Sequence, residues 1–172
     1  MREIVKFIMG NWAVVLPVSI LVLVLPFVAS KYFPNNPVIS AVRQVFKVFF
    51  TNRINVLVIF VSVYLFGFFS AIINEQFSIG EAIFGTTYGI VLYGMMFWIG
   101  FIVCILVLDI VLFSFHTEPK YTTYKLAIEW VLISSPFIYW VVRYNQWIFL
   151  VAVLAFLIGQ YLRRPYIFKI LQ

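Results

Sequence analysis

Apolar positions along this chain come in long unbroken runs, separated by short polar links. The longest run, Ala82 to Phe113, carries a single charge, Asp109, close to its C-terminal end. A membrane-spanning helix needs only about 20 apolar residues. Shorter runs at 54–73, 126–142 and 147–162 repeat the pattern. Strands of a membrane barrel would instead alternate over segments of about ten residues. Backbone groups in lipid must pair internally, and with no alternation the runs are helices. The pattern predicts an all-α, multi-pass bundle forming a single integral membrane domain over residues 1–172. A further apolar run, 11–29, contains Pro17 and Pro26. Each proline removes a backbone donor and favours a kink. This segment either crosses the bilayer bent or re-enters as a hairpin.

The stretch after it differs. Pro34, Asn35, Asn36 and Pro37 break the chain, with Asn36 placed to cap a helix whose first residue is Pro37. From there Ser40, Arg43, Gln44, Lys47 and Thr51 share one helical face. Val38, Ala41, Val42, Val45, Val48 and Phe49 share the other. An amphipathic helix over 37–51 with a basic polar face suits the interface of an anionic leaflet. Ser134-Ser135-Pro136 marks a kink in the 126–142 span, and 143–146 leaves room only for a tight turn.

Composition sharpens the reading. The chain is 65% hydrophobic and 10% charged, whereas soluble domains are about half apolar and a quarter charged, so lipid is the solvent for most side chains. The net charge of +6 has two meanings, nucleic-acid binding or cytoplasmic loops of a membrane protein. The second fits the runs, and no direct nucleic-acid contact is expected. If the last four runs all cross, Lys31, Arg43, Lys47, Arg53, Lys120, Lys125, Arg163, Arg164 and Lys169 fall on one side. Arg143, Glu75 and Glu81 fall on the other. The positive-inside rule then makes the C-terminus cytoplasmic, and a bacterial inner membrane is the expected location. Cys104 is the sole cysteine, so no intrachain disulfide forms and the compartment is not readable from cysteine usage.

Three sets of residues are candidates for function. Gly67 and Ala71 in the second run, and Gly85, Gly89, Met96 and Gly100 in the third, form stripes of small or flexible residues on which helices approach closely. They serve packing within the subunit or association between subunits. Arg43, Lys47, Arg53, Lys120, Lys125, Arg163 and Arg164 form a basic side for anionic lipid or a cytoplasmic protein partner. Asp109 and Glu129 are acids inside or beside spans, which mark ion or proton pathways unless they are paired. Lys120, Lys125 and His116 are the expected partners. His116 is the only histidine, which excludes a bis-histidine haem or a multi-histidine metal site within one chain. No paired catalytic groups or phosphate-binding loop appear, and neither an enzymatic activity nor a cofactor is expected.

The reading is a non-enzymatic membrane subunit that oligomerises and anchors or signals to a cytoplasmic partner, as the membrane sensor of a two-gene bacterial defence system would. Two alternatives stand beside it. One is an ion channel or small transporter with Asp109 and Glu129 along the path. The other is an accessory subunit of a larger membrane assembly.

Overall fold

A computed structural model describes residues 37–114 and 118–172. The apolar run 11–29, His116 and the side chain of Met96 lie outside the described residues. The chain divides into two units, 1–46 and 47–172. Helix α1, Pro37–Phe50, begins in the first unit, where Arg43 is exposed and Val45 and Phe46 are buried.

The second unit holds the rest. After a turn at Thr51-Asn52 come α2 (Arg53–Asn74), α3 (Ile79–Tyr88), a π-helical turn (Gly89–Tyr93) and α4 (Gly94–Ser114). A short 3-10 turn, Pro119–Tyr121, leads into α5 (Thr122–Tyr144), and α6 (Trp147–Leu171) follows. The described residues form helices joined by short links, with no strand among them, and four helices are long and apolar enough to cross a membrane. They identify an integral membrane protein. Large apolar side chains such as Leu57, Phe60, Val103, Val107, Leu154 and Ile158 face outward, which only a hydrocarbon solvent makes favourable.

Local chemistry sets the element ends. Ser78 and Glu81 form a capping box at the start of α3: the Ser78 amide donates to Glu81 Oε2 at 2.9 Å, and the Ser78 hydroxyl accepts from the Glu81 amide at 3.4 Å. The 79–114 run is one continuous helical path. It is roughly 54 Å long at 1.5 Å per residue, against about 30 Å of hydrocarbon. A π turn interrupts this path: the Gly94 amide donates five residues back, to Gly89 O. Between α5 and α6 the chain reverses at Asn145, whose φ of 53° is left-handed, a conformation asparagine tolerates well.

Two proline-containing helices stay intact. In α5, Pro136 cannot donate to Leu132 O, and the Ser135 hydroxyl donates to that carbonyl instead, at 3.0 Å. The sequence reading ends the last span at Leu162. The structure carries α6 through Pro165 to Leu171, so Arg163 and Arg164 are helical residues and not part of a tail.

The most extensive helix contacts are those of α2 with α6 and of α5 with α6. Gly159 makes the first contact: a Cβ there would lie 3.0 Å from the Asn55 Cα. Trp130 Nε1 ties α5 to α6 by donating to Val153 O at 3.1 Å. Ile59, Phe101, Ile105, Ile133, Ala155 and Phe156 form the apolar centre, with Phe101 and Phe156 edge to face at 5.2 Å.

Candidate functional site

At one end of the unit the helices bury a charged cluster. Arg163 is its hub. It lies on α6 one turn after Gly159, and its side chain is 0% exposed. Nη2 donates to Asp109 Oδ1 and Oδ2 at 2.8 and 2.9 Å, and Nη1 donates to Glu129 Oε1 and Oε2, both at 2.9 Å. Nε donates to the Thr51 hydroxyl at 2.6 Å, which in turn donates to Val48 O at 2.6 Å. Nη2 also reaches Val48 O at 3.2 Å, and Nη1 reaches Gln160 Oε1 at 3.4 Å. A planar guanidinium with five donors is suited to hold two carboxylates at once.

A second layer holds the acids. Asn52 Nδ2 donates to Asp109 Oδ2 at 2.7 Å, and Asn55 Nδ2 donates to Asn52 Oδ1 at 2.7 Å. Lys125 is buried one helical turn before Glu129, with its amine 4.8 Å from the centre of the Phe113 ring. Arg163 and Lys125 then match Asp109 and Glu129 in formal charge, two cations to two anions. Balance of this kind is what makes charge tolerable so far from water.

Topology brings these residues together. Asp109 lies near the C-terminal end of α4 and Arg163 near that of α6; Glu129 lies near the N-terminal end of α5, and Asn52 and Asn55 at the start of α2. Helix ends that alternate in direction meet at one level. The three charged groups of the hub sit roughly 8–12 Å inside their helix ends at 1.5 Å per residue.

The structure therefore changes the place of several sequence-predicted residues. Asp109 and Glu129 do not pair with Lys120: both bind Arg163, while Lys120 pairs with Glu118 at 2.6 Å. Arg163 and Lys125 are buried and not on a surface, because the acids draw the guanidinium inward and the lysine stem follows the inner face of α5. Arg43, Lys47, Arg53, Lys120 and Arg164 are exposed. Among the small residues, a Cβ on Gly67 would meet Thr86 Cγ2 at 3.1 Å, so Gly67 serves the contact of α2 with α3. Ala71 is half-buried, and a Cβ on Gly85, Gly89 or Gly100 would meet no atom within 4 Å.

Sequence reasoning missed Thr51, Asn52, Asn55, Gly159 and Gln160. Their signal is the spacing of polar residues at the ends of apolar runs: Asn52 with Asn55, and Gln160 with Arg163, each three apart on one helical face. Among the described residues no group of acids, histidine and cysteine could hold a metal ion. No protein-family model, curated protein sequence or solved structure matches the chain.

Proposed function

We propose that the protein is a non-enzymatic membrane subunit that self-associates in the bilayer and engages anionic lipid or an acidic cytoplasmic partner. The observation that carries this reading is a division of positive charge. Arg163 is fully enclosed by Asp109 and Glu129, while its neighbour Arg164, and Lys47 and Arg53 beside Val48 and Asn52, point outward around the same cluster. The buried charge holds helices together, and the exposed charge is free to meet something anionic. Arg43, on the part of α1 in the first unit, is also exposed. In this reading α1 rides the cytoplasmic interface and the C-terminus is cytoplasmic. The bilayer is a bacterial inner membrane. Self-association uses the outward face of α4, where Gly100 and Cys104 are exposed one turn apart and leave room for a second helix.

Ion conduction past Asp109 and Glu129 fits less well, because both carboxylates are bidentate with one guanidinium and a path would first have to break four short hydrogen bonds.

The test is reconstitution in nanodiscs of zwitterionic or anionic lipid. A base near an anionic leaflet contributes about 1 kcal/mol. Combining Lys47→Glu, Arg53→Glu and Arg164→Glu should lower retention of anionic lipid by more than about tenfold. Oxidation should cross-link the protein through its single Cys104, and Gly100→Leu should suppress the cross-link. Unchanged lipid retention in the triple variant, or no cross-link in the wild type, would contradict the reading.

A further inference from the structure

Beyond the apolar centre, away from the ion cluster, the helices frame a half-open cavity of about 520 Å³. That is within the roughly 300–1,000 Å³ of small-molecule sites. Its floor is Ile59, Phe101 and Phe156, and Glu75 and Phe77 of the α2–α3 link stand at its other end. Three independent features set it apart from a packing fault.

The first is backbone clearance. Gly85 and Gly89 line it, and a Cβ at either would meet open space. The π turn that starts at Gly89 borders the same wall, and such turns often accompany functional sites. The second is wall chemistry: Phe97, Trp98, Phe137 and Phe149 face the cavity together with Phe101 and Phe156. Flat aromatic walls of this density favour a planar guest through offset and edge contacts.

The third is an unanswered donor. Ser134 lines the cavity, is 1% exposed, and its hydroxyl has no hydrogen-bond partner among the described residues. Its neighbour Ser135 is committed to the carbonyl freed by Pro136, so the serine pair divides its work: one completes the helix, and the other is buried in the wall of the cavity. A buried polar group without a partner is costly, and a guest that supplies an acceptor recovers that cost. Ser134 lies near the middle of α5, far from either end, where a charged guest would be strongly disfavoured.

We propose that this cavity binds an uncharged, lipid-soluble molecule with a planar ring whose carbonyl oxygen accepts a hydrogen bond from Ser134. A hydrocarbon tail on that ring leaves between the helices on the side opened by Gly85 and Gly89. A benzoquinone carrying a saturated alkyl tail has this chemistry. Binding alone is proposed, with no electron transfer.

The full chain in nanodiscs tests it, with thermal unfolding followed against added ligand. Three probes are used: a decyl-benzoquinone, decylbenzene (ring and tail without the carbonyl) and oleic acid (chain without the ring). The decyl-benzoquinone should raise the midpoint saturably, as a ligand of the folded state must. Decylbenzene should bind about fivefold more weakly, the value of one hydrogen bond. Ser134→Ala should erase that difference without lowering the midpoint of the ligand-free protein, since the hydroxyl makes no internal bond. A serine serving structure alone would instead cost stability and leave the two ring ligands as unequal as before. Gly85→Leu fills the cavity from a position with room for it and should abolish saturation. Gly80→Leu, equally open but outside the cavity, should not. Oleic acid binding as well as the quinone would overturn the ring assignment. A shift that never saturates in the wild type, or one unchanged in Gly85→Leu, would overturn the site.

Discussion

Nη2 of Arg163 donates to both carboxylate oxygens of Asp109, a residue 54 positions earlier in the chain, at 2.8 and 2.9 Å. This bidentate pair locks the end of α6 to the end of α4. The other arm of the same guanidinium locks α5 through Glu129, and Nε brings in Thr51 ahead of α2. In lipid the apolar surfaces of helices gain little by meeting one another, so polar contacts and close packing fix which helix lies against which.

Close packing at the cluster depends on one glycine. Gly159→Ala places a methyl group 3.0 Å from the Asn55 Cα, backbone that has little freedom to withdraw. The expected loss is about 1–3 kcal/mol, the usual result of forcing a methylene into a full site. Gly80→Ala, in open space, should be neutral or stabilising by up to about 1 kcal/mol. Thermal unfolding of the two variants in one detergent measures the contrast.

Ser135 repairs the break that Pro136 makes in α5. Ser135→Ala leaves Leu132 O without a partner in an outward, lipid-facing position and should cost about 1 kcal/mol. Pro136→Ala restores an amide to that carbonyl. In that background the serine substitution should cost nothing measurable. Equal losses with and without the proline would show that the hydroxyl does other work.

The spans were legible because lipid asks only for length and composition, and the runs at 54–73 and 82–113 have both. The π turn inside the longer run left no such mark, since Gly89 and Gly94 read equally well as packing glycines. The end of α6 was hidden for a different reason. Arg163 ends the apolar run in the sequence, yet its charge is answered inside the protein, so the helix continues. The cluster itself was half legible. Asp109 and Glu129 stood out as acids in apolar surroundings, but their common partner lies 54 and 34 positions away, and no local rule links them. Lys120, Lys125 and His116 are nearer in sequence, and a local reading selects them as partners.

The capping box gives a pH test outside the spanning segments. Hydrogen bonds from the hydroxyl and amide of Ser78 hold the Glu81 carboxyl below its ordinary value of 4.5. A carboxyl depressed in the folded state stabilises it above the ordinary value, and that contribution fades as pH falls through the folded one. Carbon NMR of the Glu81 carboxyl in micelles should show a midpoint below 4.5, moving back up in Ser78→Ala. A midpoint that Ser78→Ala does not move would remove the box as its cause.

The central claim is that Arg163 and Asp109 stabilise the fold as a pair, and a double-mutant cycle in unfolding free energy measures it directly. Arg163→Gln strands the carboxylates of both Asp109 and Glu129 and should cost at least about 3–5 kcal/mol, whereas Asp109→Asn leaves Arg163 paired with Glu129 and should cost less. In the double variant Glu129 alone remains without its cation and the two new amides can bond one another, so the loss should be clearly less than the sum of the singles. A double variant whose loss equals the sum of the singles would mean that the two residues act independently, and the lock described here would not exist.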